Sequence, residues 1–444
     1  MKLDYRRTIL IGFAFLSISS FWQMYDNLIP LILTKTFDIN EAISGVIMAA
    51  DNVLALFLLP LFGGISDRSN FKMGKRKPFI LVGTISAVIL MMGLPLLDNS
   101  YFVAPALWKL IGFIVLLGFL LVAMGTYRSP AVALMPDVTP KPLRSKGNAI
   151  INLMGAVGGI LYLIANALLY SKSKTEGLKH INYQPMFLVV GGIMIISLLI
   201  LMFLVNEPKL RKVQLDYESQ HPEESVTVTN NKGKQKMPKA VKVSLIFLLL
   251  SVAFWYIGYN AITTWFSVYA TTMWDMTPGE ASLCLTVATA GAIVSYIPVG
   301  IIASKVGRKI TILFGAGLLA VCFFTAFVYT LVFGHFHWAL YILFVLVGVA
   351  WAAINVNSLP MVVEMCSGSD IGKFTGFYYT FSMAAQTVTP ILAGFLLSNV
   401  SYKTLFPYAA IFVTLSFVTM LFVRHGDSKP VRKSSVLENF DMDD

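Results

Sequence analysis

Of 444 residues, 57% are hydrophobic and only 13% charged, and the mean hydropathy is +0.73, which leaves too little polar surface to solvate a soluble domain of this length. The net charge of +11 would suit a nucleic-acid binder, but no long soluble basic domain is present, so nucleic acid is not expected as a partner. The class that remains is an all-α integral membrane protein, whose main partner is the lipid bilayer.

Crossing roughly 30 Å of hydrocarbon takes about 20 apolar residues at 1.5 Å of helix rise each. Stretches that meet this requirement lie near 8–34, 42–66, 78–98, 104–134, 147–171, 184–205, 241–271, 279–303, 309–332, 338–363, 374–399 and 404–423, which predicts twelve spans. The first is too long for a signal-peptide core and is followed by no small-x-small cleavage site, so it is expected to stay in place as span 1. A polar interval at 206–240, rich in Lys, Glu, Gln, Asn and Ser, reads as a flexible linker between two six-helix halves, 1–205 and 241–423. The tail, 424–444, reads as a second disordered segment. If the N-terminus is cytoplasmic, 27 of the 34 Lys and Arg fall on the cytoplasmic side, which by the positive-inside rule predicts a multi-pass protein of the cell membrane with both termini cytoplasmic.

Cys284, Cys322 and Cys366 are scattered singly through apolar segments and read as small buried hydrophobes. The five histidines, among them His180, His221 and His425, show no ligand spacing. No metal, no cofactor and no catalytic residue is expected, and the protein is not expected to be an enzyme.

The two halves repeat one another. Gly63-x-x-x-Asp67-Arg68, followed by Gly74-Lys75-Arg76-Lys77-Pro78, is echoed by Gly300-x-x-x-Ser304-Lys305-x-Gly307-Arg308-Lys309. Arg128 precedes Asp137 by nine residues, with Arg144 and Gly147 following; Asn355 precedes Glu364 by nine, with Lys373 and Gly376 following. Spans 4–5 and 10–11 are therefore read as equivalents, and a basic, glycine-bounded hairpin recurring between apolar spans points to a transporter.

Ionisable side chains inside a span are costly and usually line a cavity or a relay. Three lie well inside: Asp26, Asp51 and Arg128. Side chains lean toward the N-terminus of their own helix. Spans 1 and 4 run in opposite directions, so Asp26 and Arg128 can approach while Asp51 leans away. The pair either couples to proton or solute or braces spans 1 and 4. Polar residues also follow helical faces. Gln23, Asp26, Asn27 and Pro30 share one face of span 1; Tyr256, Tyr259, Asn260 and Thr263 repeat the spacing on span 7; Trp351, Asn355 and Ser358 do so on span 10. The stripe Asn148, Asn152, Gly155, Gly159, Tyr162 and Asn166 on span 5 contains small residues and is read as helix packing. Amides match sugar hydroxyls and aromatic rings cover sugar faces, so the mixture suits a sugar better than a hydrophobic drug or a di-anion.

These features resemble the major facilitator superfamily over essentially the whole chain. Leu59-Pro60-Leu61-Phe62-Gly63-Gly64-Ile65-Ser66-Asp67-Arg68 with Lys75-Arg76-Lys77-Pro78, and Arg128-Ser-Pro-Ala-Val-Ala-Leu-Met-Pro-Asp137 with Arg144, resemble the sucrose:proton symporters of plants and their animal and bacterial relatives. The melibiose-type glycoside–pentoside–hexuronide cation symporters are a more distant likeness. The resemblance implies twelve helices in two pseudo-repeats, with spans 1, 4, 7 and 10 around a cavity. It implies solute contact by Gln23, Asn27, Tyr256, Tyr259, Asn260, Trp351 and Asn355. It implies a conformational latch drawn from Gly63, Asp67, Arg68, Asp137, Arg144, Glu364 and Lys373, weakened in the second half by Ser304. Melibiose-type carriers that use sodium place two acids a helical turn apart in span 2, where this chain has Ala55 and Leu59, which favours a proton as coupling ion. The expectation is a monomeric, proton-coupled symporter of a sugar or glycoside working by alternating access, with an exporter or drug:proton antiporter of the same superfamily as the alternative.

Overall fold

A computed structural model describes residues 4–139, 144–220, 238–365 and 371–427. Twelve helices among these are long and apolar enough to cross a membrane, and no strand occurs among the described residues. Spans 1 to 6 are Tyr5–Leu31, Glu41–Arg68, Lys77–Val103, Leu107–Val138, Arg144–Leu169 and Gln184–Leu204. Spans 7 to 12 are Lys239–Met273, Pro278–Val306, Arg308–Val332, Leu340–Glu364, Ile371–Asn399 and Leu405–Leu421. Span 1 continues as a π-helical turn, Ile32–Thr36.

The chain divides into two compact units. The first holds residues 1–225 together with Thr277–Leu283, the opening turns of span 8; the second holds the rest. Large apolar side chains such as Phe57, Phe203 and Val294 stay on the outside, where lipid accepts them, and close helix contact is left to small residues. In the first unit span 1 packs on span 5, where a Cβ on Gly158 would lie 2.0 Å from the Leu16 carbonyl oxygen and the Ser20 hydroxyl donates to the Gly158 carbonyl at 2.8 Å. In the second unit span 8 meets span 10 at Gly348, where a Cβ would lie 2.0 Å from the Ala288 carbonyl oxygen, and Ser251 on span 7 bonds Ser416 on span 12 at 2.9 Å.

Two segments read from composition as unstructured are partly ordered. Glu207–Gln220 is a helix that starts directly after span 6, because Glu207 is anchored by the hairpin between spans 2 and 3; residues 221–237 lie outside the described residues. In the tail, Asp427 bonds the start of span 9; residues 428–444 lie outside the described residues. Cys284 and Cys322 are buried and free, as expected, while Cys366 and His221 lie outside the described residues.

Candidate functional site

The interior of the first unit carries the charges. Asp26 on span 1, Asp51 on span 2 and Arg128 on span 4 are all half-buried and electrostatically coupled to one another. Asp51 therefore belongs to the cluster, contrary to the expectation that it leans away; lean along a single helix does not capture how spans 2 and 4 cross. No salt bridge closes between Arg128 and either aspartate. The guanidinium instead lies 5.4 Å from the Trp22 ring centre, a cation–π contact, and Asp51 accepts the Asn52 amide at 2.8 Å. Pro30, lacking an N–H, leaves the Asp26 carbonyl without its helical partner and loosens the helix just ahead of the π turn. Gln23 is half-buried on the same face. Asn27 is 1% exposed and donates to the Gln23 carbonyl at 2.7 Å, so it supports the helix rather than lining a space.

Three buried donors of spans 1 and 5 have no hydrogen-bond partner among the described residues: Trp22 Nε1, Asn152 Nδ2 and the Tyr162 hydroxyl. Tyr162, fully buried on span 5, feels the charge of Asp26. The span 5 stripe is therefore not purely a packing face: Gly158 serves packing, while Asn152 and Tyr162 present hydrogen-bonding capacity that no described residue uses.

The second unit carries the aromatics. Tyr259 on span 7 stacks on Trp351 on span 10, with ring centres 3.7 Å apart and planes 24° apart. Trp255 and Tyr256 stack at 3.9 Å, and Trp351 meets the Trp255 ring edge-on at 5.1 Å. Trp351 is held from behind by Tyr296 on span 8, whose hydroxyl bonds Asn355 and Trp351, and by packing on Ala292 and Ala352. Tyr256, Tyr259, Asn260, Trp351 and Asn355 are all half-buried, and on span 10 Trp351 and Asn355 are separated by the buried Ala352, Ala353 and Ile354. Asn260 is placed by span 11. Pro390 cannot donate to the Gln386 carbonyl, which accepts the Asn260 amide instead at 3.4 Å.

At one end of the first unit the hairpin 69–76 is held by charge. Arg76, 5% exposed, donates through Nε to Asp137 Oδ2 at 2.7 Å and pairs with Asp67 and Ser66. The Glu207 carboxylate receives the backbone N–H groups of Lys75, Arg76 and Lys77 at 2.6–3.1 Å, which satisfies the open amides at the start of span 3. Gly74 permits this: its φ is +112°, and a Cβ there would lie 2.3 Å from the Glu207 carboxyl. Lys77 is 6% exposed and donates to the Met202 and Val205 carbonyls. Gly63 allows span 4 to approach span 2, since a Cβ would lie 2.9 Å from Ser129 Oγ.

The second unit repeats the plan. Arg308 pairs with Glu364 at 2.6 Å, the Lys309 N–H donates to Asp427 at 2.8 Å, and Gly307 has φ +99°. Arg68, expected in the latch, is exposed and makes no ion pair or hydrogen bond among the described residues. Arg76 rather than Arg68 meets both Asp67 and Asp137, and its place among five basic residues at 68–77 hid it from the sequence. The side chains of Arg144, Ser304 and Lys373 lie outside the described residues.

Twelve apolar helices in two units, with ionisable and aromatic groups kept in their interiors and a charged clasp at one end of each, define a multi-pass membrane transporter. The profile of the Major Facilitator Superfamily matches residues 11–274 and 270–439, and the chain belongs to that superfamily. Among characterised relatives it is 31% identical over 146 residues to the sucrose transport protein SUC3 of Arabidopsis thaliana, covering 30% of this chain and 24% of that protein. It is 25% identical over 235 residues to the sucrose transport protein SUT5 of Oryza sativa subsp. indica, covering 48% and 44% respectively. The alignments thus span less than half of each relative. In fold it is similar to the E. coli xylose transporter XylE in an inward open conformation, with TM-score 0.68, 13% identity and 96% of both chains covered. A bacterial homologue of the iron transporter ferroportin gives TM-score 0.69 at 13% identity, with 95% and 99% covered.

Proposed function

We propose that the protein is a secondary active transporter that moves a sugar or glycoside together with protons by alternating access. The observation that carries this reading is the division of labour between the units. The first holds two aspartates and an arginine with no closed ion pair, and the second holds a stacked aromatic wall edged by amides. Carboxylates inside a membrane unit that no ion pair holds are suited to taking up and releasing a proton. The Trp351 and Tyr259 faces cover apolar faces of a pyranose, and Asn260 and Asn355 meet its hydroxyls, each of which would cost about 1–3 kcal/mol if left unmatched in a dry site. Similarity to plant sucrose transport proteins supports the substrate class. The absence of acids at Ala55 and Leu59 supports a proton over sodium. The excess of basic residues on one side supports cytoplasmic termini.

On this reading Arg76 and Arg308 clasp the cytoplasmic ends, and Asp67, Asp137 and Glu364 are their counter-charges. The substrate class is tested by thermal shift of the purified full chain against a panel of mono- and disaccharides, drugs and organic anions. A saturable upward shift with one or more sugars, lost in Trp351→Ala, is expected; shifts confined to hydrophobic drugs would favour the antiporter reading.

A further inference from the structure

A second buried carboxylate, unrelated to the charge cluster between spans 1, 2 and 4, lies at the opposite end of the first unit from the Arg76 clasp. Asp98, near the end of span 3, is 0% exposed, and apart from the Thr36 hydroxyl turned toward it, neither of its carboxylate oxygens meets a hydrogen-bond donor among the described residues. A buried carboxylate left in this way is costly in its charged form. The titratable base beside it is His180, on the connection between spans 5 and 6, with Nε2 3.6 Å from Asp98 Oδ2. The His180 ring stacks on Phe102 with centres 4.5 Å apart and planes 12° apart, which fixes its plane.

The neighbouring amides fix its tautomer. The Gln184 backbone N–H donates to Asn182 Oδ1 at 2.9 Å, so that atom is oxygen; the Asn99 Nδ2 donates to the same oxygen at 2.8 Å. Asn99 Oδ1 is then the atom 2.9 Å from His180 Nε2, and it can only accept, so Nε2 carries a hydrogen in the neutral ring. An added proton must enter at Nδ1. The imidazolium so formed keeps its Nε2–H between Asn99 Oδ1 and Asp98 Oδ2 and places its charge beside the buried carboxylate.

Other charged and titratable groups around the pair do not take this place. On the π turn, Thr36 presents its hydroxyl toward Asp98, and Lys35 is drawn toward Glu41. Lys109 on span 4 donates to the Ser100 and Ala104 carbonyls. Tyr170 and Tyr183 border the carboxylate, the Tyr170 hydroxyl donating to the Asn182 carbonyl at 3.2 Å. Lys172, Lys179 and Glu176 on the connection are exposed, and Lys174, also exposed, donates to the Leu168 carbonyl.

We propose that Asp98 and His180 form a proton-binding site of their own, separate from the transport cavity, which seats the connection between spans 5 and 6 when it is protonated. The ligand is one proton, taken from solvent onto His180 Nδ1 and returned there. The seating has a structural consequence inside the same unit. The Tyr170 carbonyl, at the end of span 5, accepts the Gly279 N–H at 3.1 Å, so the connection that His180 fastens braces the residue on which Thr277–Leu283 rests.

Burial alone pushes the His180 imidazole down, so removing the carboxylate should make the ring harder to charge. The test is NMR of the full chain labelled with 13C,15N-histidine, the His180 signal being identified by its loss in His180→Gln. In the wild type at high pH the nitrogen shifts are expected to report the Nε2–H tautomer. In Asp98→Asn the His180 titration midpoint is expected to fall by about one pH unit or more, the other histidines unchanged. A dominant Nδ1–H tautomer in the wild type, which needs no variant to fold, or an unchanged midpoint in folded Asp98→Asn, overturns the proposal.

Discussion

The consequence of an unpaired charge cluster is clearest at Asp26. With no salt bridge to Arg128, its carboxylate is available to titrate, and an amide in its place keeps shape and hydrogen bonding but cannot carry a proton. Asp26→Asn is expected to lose concentrative uptake while keeping substrate exchange in preloaded proteoliposomes. Wild-type accumulation in that variant would remove Asp26 from the coupling path. Trp351 makes a different kind of contribution, one stacking face, worth about 1–1.5 kcal/mol. Trp351→Ala is expected to raise the sugar KM about tenfold with a smaller change in kcat, and Trp351→Phe to recover most of it. A proportional fall in kcat at fixed KM would place Trp351 in the transport cycle instead. Which residues are ionisable, amide or aromatic was legible from type and helical spacing. That Asn27 turns inward to its own helix, and that Asp51 joins the cluster, was not, because both depend on how neighbouring helices cross.

At the scale of elements, the hairpins are where three-dimensional structure changed the account most. Asp67, Arg68 and the glycines mark the hairpin plainly, yet the cation that binds Asp67 to Asp137 is Arg76. Arg76→Ala is therefore expected to increase alkylation of a single cysteine placed near the Asp67 end of the first unit, and Arg68→Ala to leave it near wild type; the reverse order would contradict the clasp. The backbone beneath the clasp is equally specific. Gly74→Ala puts a side chain at φ +112°, costing about 1–2 kcal/mol, and drives it into the Glu207 carboxylate. It is expected to lower the thermal midpoint, whereas Gly64→Ala, which meets nothing within 4 Å, is expected to leave it unchanged. Glu207 lies some 130 residues from the amides it caps and Asp427 118 residues from Lys309, and nothing in local sequence announces either bond. Ordering of Glu207–Gln220 and of the chain up to Asp427 follows from those two carboxylates, while composition alone reads both segments as disordered.

For the whole molecule, hydropathy and the repeated hairpins were sufficient for the architecture, since lipid demands about 20 apolar residues per crossing and leaves few alternatives. The coupling ion is a finer property and rests on few residues: the acids at Asp26 and Asp51, and their absence at Ala55 and Leu59. The most direct measurement is uptake of a sugar identified by thermal shift into proteoliposomes containing the purified chain, under an imposed inward proton gradient or an imposed inward sodium gradient. Accumulation above the external concentration with the proton gradient alone, abolished by a protonophore, is the expected result; accumulation driven by sodium at equal internal and external pH would contradict it.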